Sequence, residues 1–361
     1  MTCAPPGWLG VAFGMRKMDK KGFLQHGVFL GVVVLAAGCQ AQVVSEKPPY
    51  PTFGSIERKD PRFDGLVPKE AKLERLASGF DWSEGPVCSK EGGYLLFSDI
   101  PPSTVYKWKE GEGITVFLKP SGYTGSKPRG GEPGSNGLLF DAQGRLVLCE
   151  HGDRRVARLE KDGKKTTLAE RFQGKRLNSP NDAVFRSNGD LYFTDPPYGL
   201  VGRARDPEKE IDFNGVFRVS RSGEVTLLTR EVSYPNGIAF SPDEKTLYVA
   251  CSDRAKPVWC AFDIREDGAI ANSRIFFDAT EWTKAAKRGG CDGLKVDKDG
   301  NVFATGPGGV HVFTPKGEHL GTIVTGEATA NVAWGNDGSV LYITADMHLA
   351  RIKTATRGKG F

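Results

Sequence analysis

Short apolar runs separated by polar turns recur along most of the chain. In one copy, residues 183–185 form a run rich in β-formers, residues 187–190 form a turn, and residues 191–194 form a second run. The Asn188-Gly189 pair inside that turn is typical of a tight β-hairpin, and the flanking runs suit its two strands. The pattern therefore predicts a hairpin, and the chain carries six similar copies.

One polar residue precedes the first strand of each copy, and we call these six the lead residues. They are Glu84, Asn136, Asn181, Asn236, Asp292 and Asn331. Successive lead residues are 39 to 56 positions apart, a spacing typical of propeller blades. The chain is therefore predicted to be an all-β protein, a six-bladed β-propeller, with the lead residues in a ring at one mouth of its central channel. The alternative for any single copy is that Asn or Asp only forms a turn there.

The first part of the chain is predicted to be an export signal and a linker. Residues 1–38 contain a basic stretch and then an apolar run too short for a comfortable transmembrane helix, as in a lipoprotein-type signal peptide. Cys39 would be the lipidated residue, and an ordinary cleaved signal is the alternative. Residues 39–69 are rich in proline and charge, which predicts a tether. The protein is then expected to be exported, as a periplasmic or cell-envelope lipoprotein.

Residues 70–361 are expected to form the propeller. The alternating stretch at 71–77 suits a strand that closes the ring against the last blade, and 278–287 is the best helical candidate. Removing residues 1–38 lowers the formal net charge from +5 to +2, because that segment carries four basic residues and one acid. No nucleic-acid partner is expected from such a balance, and a lipid anchor would be the only membrane contact. A Cys251–Cys260 disulfide is left open, and the sequence does not indicate an oligomeric state.

Several motifs together resemble the gluconolactonase/regucalcin family of six-bladed propellers, and its bacterial gluconolactonase-like branch in particular. They are Glu84-Gly-Pro-Val87, Asn178-Ser-Pro-Asn-Asp182, Tyr192-Phe-Thr-Asp-Pro-Pro-Tyr-Gly199, Pro235-Asn-Gly-Ile-Ala-Phe-Ser-Pro-Asp243, Asp292-Gly-Leu-Lys-Val-Asp297 and Thr305-Gly-Pro-Gly-Gly309. The resemblance implies one divalent cation in the channel mouth, held by Glu84, Asn181, Asn236 and Asp292. Cys291 stands where the family usually has proline, which alters the turn and leaves the Asp292 carboxylate in place.

Two carboxylates and two amides are a ligand set for a hard cation. Calcium is the expected cation, with magnesium, manganese and zinc as alternatives. The resemblance implies hydrolysis of a sugar lactone, with the cation polarising the carbonyl and Asp292 activating water. Asn136, Glu150 and His151 are the expected substrate contacts, although Glu150 and His151 could instead form a solvated turn.

Two other functions remain open from the sequence. The same site could hydrolyse other esters, lactones or phosphotriesters, or the propeller could bind a sugar without catalysis. An intact set of four cation ligands argues against the non-catalytic alternative. Covalent catalysis is not expected, because the chain lacks a Gly-x-Ser-x-Gly elbow.

Overall fold

Six antiparallel sheets, which we call blades 1 to 6 in chain order, form the protein in the computed structural model, which describes residues 42–361. The strands of blades 1 to 3, from the axis outwards, are Ser83–Ser89, Tyr94–Asp99, Thr104–Lys109 and Gly113–Leu118; Ser135–Phe140, Leu146–Glu150, Arg155–Leu159 and Lys165–Ala169; and Ala183–Phe185, Leu191–Asp195, Gly215–Val219 and Val225–Thr229. The prediction of an all-β, six-bladed propeller is confirmed.

Blades 5 and 6 each gain strands from the N-terminal part of the described chain. The strands of blades 4 to 6 are Pro235–Phe240, Thr246–Cys251, Val258–Ile264 and Ile270–Asp278; Leu294–Val296, Val302–Gly306, Gly309–Phe313, His319–Val324 and Ser55–Arg58; and Thr329–Gly335, Val340–Ala345, His348–Lys353, Glu74–Ser78 and Val44–Ser45. Glu74–Ser78 pairs with His348–Lys353 in blade 6, so the first and last segments close the ring as expected.

The little helix present is short. An α-helix spans Thr280–Lys284, inside the predicted helical stretch, and 3-10 turns span Pro61–Gly65 and Arg203–Arg205. A two-stranded hairpin of Arg171–Phe172 and Lys175–Arg176 stands outside the blades. No helix within residues 42–361 is long and apolar enough to cross a membrane.

The hydrophobic core consists of six layers, each between two successive blades. Neighbouring positions on one strand face different layers, because side chains alternate along a strand. Leu148 packs toward blade 1 and Cys149 toward blade 3, and both are fully buried. Burying both faces explains why these inner strands read as continuous apolar runs. All five cysteines in the described part are free, so Cys251 and Cys260 do not form a disulfide.

Part of the expected tether is folded onto the propeller, which corrects the picture of a free linker. Ser55–Arg58 is the fifth strand of blade 5, and the Phe63 ring is fully buried between blades 5 and 6. Tyr50 is buried between blades 6 and 1. The apolar side chains of this part of the tether hold it on the propeller, because packing in those layers removes apolar surface from water. The predicted signal peptide and Cys39 lie outside the described residues.

Candidate functional site

The lead residues lie where the inner strands begin, and β-bulges shape those positions. The pairing register shifts between Glu84 and Val87, and again at the start of the inner strands of blades 2, 4 and 6. Asn181 and Asp292 each stand two residues before an inner strand. A bulge inserts an unpaired residue and re-aims its side chain. The same distortion therefore recurs around the channel mouth.

Glycines after the lead residues let neighbouring blades approach one another around the axis. A Cβ on Gly85 would overlap the backbone oxygen of Asn136, and one on Gly237 would overlap that of Asp292. A Cβ on Gly293 would overlap the Asn331 side chain. Only a residue without a side chain fits such contacts. The Gly that follows the lead residue therefore brings adjacent lead segments into contact.

Hydrogen bonds complete the ring. The Asn331 Nδ2 group donates to Glu84 Oε2 at 3.2 Å, which joins blade 6 to blade 1. Hydroxyls on the second strands bind the lead segment of the next blade: Ser98 donates to Asn136 O and Thr194 donates to Asn236 O, each at 2.8 Å. These hydrogen bonds join the lead segments of blades 6 and 1, of blades 1 and 2, and of blades 3 and 4.

Several oxygens in this ring are buried and have no hydrogen-bond partner among residues 42–361. They are the Oδ1 atoms of Asn136, Asn181, Asn236 and Asp292, together with Asp182 Oδ2. An unsatisfied buried acceptor costs about 1–3 kcal/mol, so a group of them calls for a positively charged ligand. Three of these residues belong to the predicted cation-binding set, and the fourth member, Glu84, is also buried.

The carboxyl groups of the ring are buried close to one another, which disfavours their charged forms. Burial raises the pKa of Glu84 from its usual 4.5 to about 8, and Asp182 adds repulsion. Burial also raises the pKa of Asp292 well above its usual range, with Glu84, Asp182 and Glu132 as further causes. Neither Glu84 nor Asp292 forms an ion pair within the described part of the chain. A cation would relieve this repulsion.

The donor set fits a hard cation better than a soft one. In the residues that the structure describes, no three His, Cys, Asp or Glu side chains form a metal-binding cluster. The ring offers amide oxygens beside two carboxylates instead, and oxygen ligands of that kind suit calcium or magnesium.

Glu150 forms ion pairs with basic side chains of its own blade. Its carboxylate is fully buried, binds Arg155 Nε at 2.6 Å, and also pairs with Lys165 on the outermost strand of blade 2. The structure therefore engages Glu150 in ion pairs within blade 2, and its contact with substrate stays a prediction. His151 is fully buried, and neither ring nitrogen has a hydrogen-bond partner in the described part.

Two insertions contribute residues that the sequence reasoning missed. Glu132, on the loop at 120–133, lies 3.5 Å from His151 Nδ1 and 3.6 Å from the Arg203 guanidinium of the loop at 200–214. Arg129 donates to Gly152 O at 2.5 Å and also binds Gly199 O. The loops are therefore bridged to each other beside the ring. No sequence pattern indicated which residues bridge the two loops.

Tyr198 is a further missed residue. Its hydroxyl lies 2.5 Å from Ser252 Oγ, and Asn236 Nδ2 lies 3.5 Å from the same oxygen. Burial raises the pKa of Tyr198, and the charge of Asp292 adds to the shift. The Tyr198 hydroxyl thus stays protonated beside the ring, where it shares a hydrogen bond with Ser252. The Asp-Pro-Pro-Tyr-Gly motif was the available sequence signal.

The chain is similar to proteins of one family. The family model described as "SMP-30/Gluconolactonase/LRE-like region" matches residues 82–346. A gluconolactonase of Zymomonas mobilis subsp. mobilis is 36% identical over 352 residues, covering 95% of this chain and 99% of that protein. The solved structure of a gluconolactonase from Xanthomonas campestris is 31% identical with a TM-score of 0.74, covering 87% of this chain and 100% of that one. Regucalcin from Agrobacterium tumefaciens, described as a calcium-binding protein, is 20% identical with a TM-score of 0.60, covering 78% of this chain and 92% of that one, a likeness of fold alone.

Proposed function

Because the chain belongs to the SMP-30/gluconolactonase/LRE-like family, as its motifs predicted, we propose that it hydrolyses sugar lactones at the ring of lead residues with the help of one divalent cation. The main observation in favour of a cation is the group of buried oxygens without hydrogen-bond partners on Asn181, Asn236 and Asp292. The extent of the match to the Zymomonas gluconolactonase supports the substrate class.

Glu84, Asn181, Asn236 and Asp292 would hold the cation, and calcium is the expected one. Glu84 Oε2 already accepts hydrogen bonds from Gly85 N and Asn331 Nδ2, which leaves Oε1 as its ligand atom. When bound, the cation would supply Lewis-acid polarisation of the lactone carbonyl. Its positive charge would also remove the repulsion between the buried carboxyl groups.

Asp292 would act as the general base. It takes a proton from the water whose oxygen forms the new bond to the carbonyl carbon. The bond between that carbon and the ring oxygen then breaks, and the proton passes to this oxygen to give the hydroxy acid. The Tyr198 hydroxyl, Asn136 and His151 would contact substrate hydroxyl groups.

The test is a substrate panel with and without chelator. Glucono-δ-lactone, an aryl ester and a phosphotriester are assayed on the protein treated with EDTA and then reloaded with calcium, magnesium, manganese or zinc. We expect lactone hydrolysis to be lost with EDTA and restored best by calcium. A preference for the aryl ester or phosphotriester would replace lactones as the substrate class. Full activity in EDTA would refute the cation, and binding of the sugar without turnover would refute catalysis.

Glu84→Gln separates affinity for the cation from chemistry. Removing one carboxylate charge should weaken cation binding, so excess calcium should partly restore activity. Asp337→Asn, an exposed turn residue, is the control. Loss of activity that no calcium concentration restores would assign Glu84 a role beyond binding.

We also propose that the protein is exported and held at the membrane by lipid on Cys39. The basic stretch, apolar run and Ala-Ala-Gly-Cys sequence support this. Membrane fractionation of the wild type and Cys39→Ala tests it. The variant should move to the soluble fraction, and a variant that still sediments with membranes would refute the anchor.

A further inference from the structure

A cavity lies at the ends of the inner strands that are opposite to the ring of lead residues. Its volume is about 950 Å³, within the range of small-molecule sites. Five blades contribute the far end of an inner strand to its lining, which includes Phe140, Phe185, Phe240, Val296 and Trp334. Asn136 and Phe140 are four positions apart on one strand, which places the cavity about 13 Å from the ring of lead residues. We call it the far-mouth cavity.

Basic side chains dominate the charged part of this lining. Six Lys and Arg residues and two acidic residues line the cavity: Arg145, Arg158, Arg186, Arg221, Lys295 and Lys359, with Asp141 and Glu244. The lead ring has the opposite character, because its ionisable side chains are carboxyl groups.

The blade 2 side of the cavity is internally neutralised. Arg145 Nε binds Asp141 at 2.8 Å, and a second nitrogen lies 3.4 Å from Glu160. Arg158 binds the same Glu160 at 2.7 Å. Two arginines therefore face two carboxylates on this side, and no charge remains for a ligand.

The other side has more basic than acidic groups. Glu244 lies 3.8 Å from Arg186 and 3.6 Å from Lys359, too far for hydrogen bonds, and its oxygens already accept from Ser187 N and Oγ. Lys295 Nζ lies 3.8 Å from buried Asp182 Oδ2.

Arg221 completes this side of the cavity. Its side chain is exposed and forms no ion pair with another residue of the 42–361 region. Counted by ion pairs to the side-chain nitrogens, four basic groups (Arg186, Arg221, Lys295 and Lys359) meet two carboxylates (Glu244 and Asp182), an excess of two positive charges.

We propose that the far-mouth cavity binds a phosphate monoester carried on a sugar-sized body. The two excess positive charges match the two negative charges of a phosphate monoester. Arginine nitrogens also form paired hydrogen bonds to phosphate oxygens. The apolar floor, which includes Trp334 and Phe240, would pack against the organic body. This site takes no part in lactone hydrolysis, so it stands or falls separately from the proposed function.

Isothermal titration calorimetry with four probes tests the ligand class. The probes are glucose 6-phosphate, inorganic phosphate, gluconate and glucose. We expect glucose 6-phosphate to bind at least about tenfold more tightly than each of the others, because only it offers both the dianion and the body. Equal binding of inorganic phosphate would reduce the site to an ion site. Equal binding of gluconate would refute recognition of the doubly charged phosphate group. No binding of glucose 6-phosphate would refute the proposal as a whole.

Variants locate the binding. Arg186→Gln combined with Arg221→Gln should weaken glucose 6-phosphate binding by about tenfold or more. The matched control, Arg158→Gln, removes a charge from the neutralised side and should change binding less than about twofold. Equal losses in both variants would refute the placement. Melting temperature and lactone turnover report whether the double variant is folded. If the double variant is unfolded, Arg221→Gln alone is used, because Arg221 is exposed and its replacement should not disturb folding. This single variant should still weaken glucose 6-phosphate binding by about threefold.

Discussion

The two mouths of the central channel carry opposite charge although the same inner strands build both. At one mouth, Glu84 and Asp292 face the axis with buried amide oxygens and without an ion-pair partner in residues 42–361. At the other mouth, Arg186 and Lys359 share one acidic neighbour, Glu244, and the exposed Arg221 forms no ion pair within residues 42–361. The two ends of one inner strand therefore present ionisable groups of opposite kind.

Distance makes this arrangement possible. The two ends of an inner strand are about 13 Å apart, and salt screens an exposed charge such as that of Arg221 over a Debye length of about 8 Å at physiological ionic strength. Lys295 is the exception, because its ammonium reaches Asp182 at 3.8 Å from the far mouth. A substitution at one mouth should thus leave the other almost unaffected, unless it touches that pair.

The largest expected effect is that of Asp292→Asn. Removing the proposed base while keeping the size of the side chain should lower kcat for glucono-δ-lactone by about 10²–10⁴-fold at saturating calcium. Asp299→Asn is the matched control, because it makes the same change at an exposed turn of blade 5. Unchanged turnover in Asp292→Asn would refute the base role.

The next effect concerns stability and pH. Folding raises the pKa of Glu84 from 4.5 to about 8, so between these values the folded state retains a proton that the unfolded state has lost. Without a cation, stability should therefore fall as pH rises from about 4.5 to about 8. Bound calcium should replace the proton and reduce the fall.

Melting temperatures in EDTA and in calcium at pH 5 and pH 8 measure this difference. The calcium-dependent gain should be larger at pH 8, and Glu84→Gln should reduce it. A gain of equal size at both pH values would contradict the assignment of the carboxyl groups to the cation.

A smaller effect is expected from the bridge between the two loops. Arg203→Ala removes the ion pair with Glu132, and an exposed pair of this kind contributes about 0.2–1 kcal/mol. We expect KM for the lactone to rise by about two- to fivefold, with kcat nearly unchanged. Arg205→Ala, two positions away on the same loop, is the control. Equal changes in both variants would show that the loop's charge matters and the bridge does not.

The smallest effect is expected across the channel. Arg221→Glu reverses a charge at the far mouth, and kcat and KM for the lactone should stay within about twofold of the wild type because the charge is distant and screened. A large change in either constant would show that the two mouths are coupled and would contradict their independence.

The repeated hairpins were sufficient to predict the blades. Runs such as Leu191-Tyr192-Phe193-Thr194 follow from local preference and turn chemistry, and six copies at a regular spacing leave few alternatives to a propeller. The lead residues were found for the same reason, since rotation of one repeat carries each copy of a position to the same mouth. Glu150 and His151 were singled out together, but the ion pair between Glu150 and Lys165 could not be predicted because Lys165 comes from another strand.

The repeat, its six copies, the lead residues and the family could all be predicted from the sequence alone. Those features depend on neighbours within one blade, or on the symmetry that relates blades. Only the tertiary structure decided that residues such as Phe63 fold onto the propeller, that Glu132 meets Arg203, and that four basic residues gather at the far mouth. These contacts join segments that no periodic pattern relates, so their geometry exists only after the ring has closed.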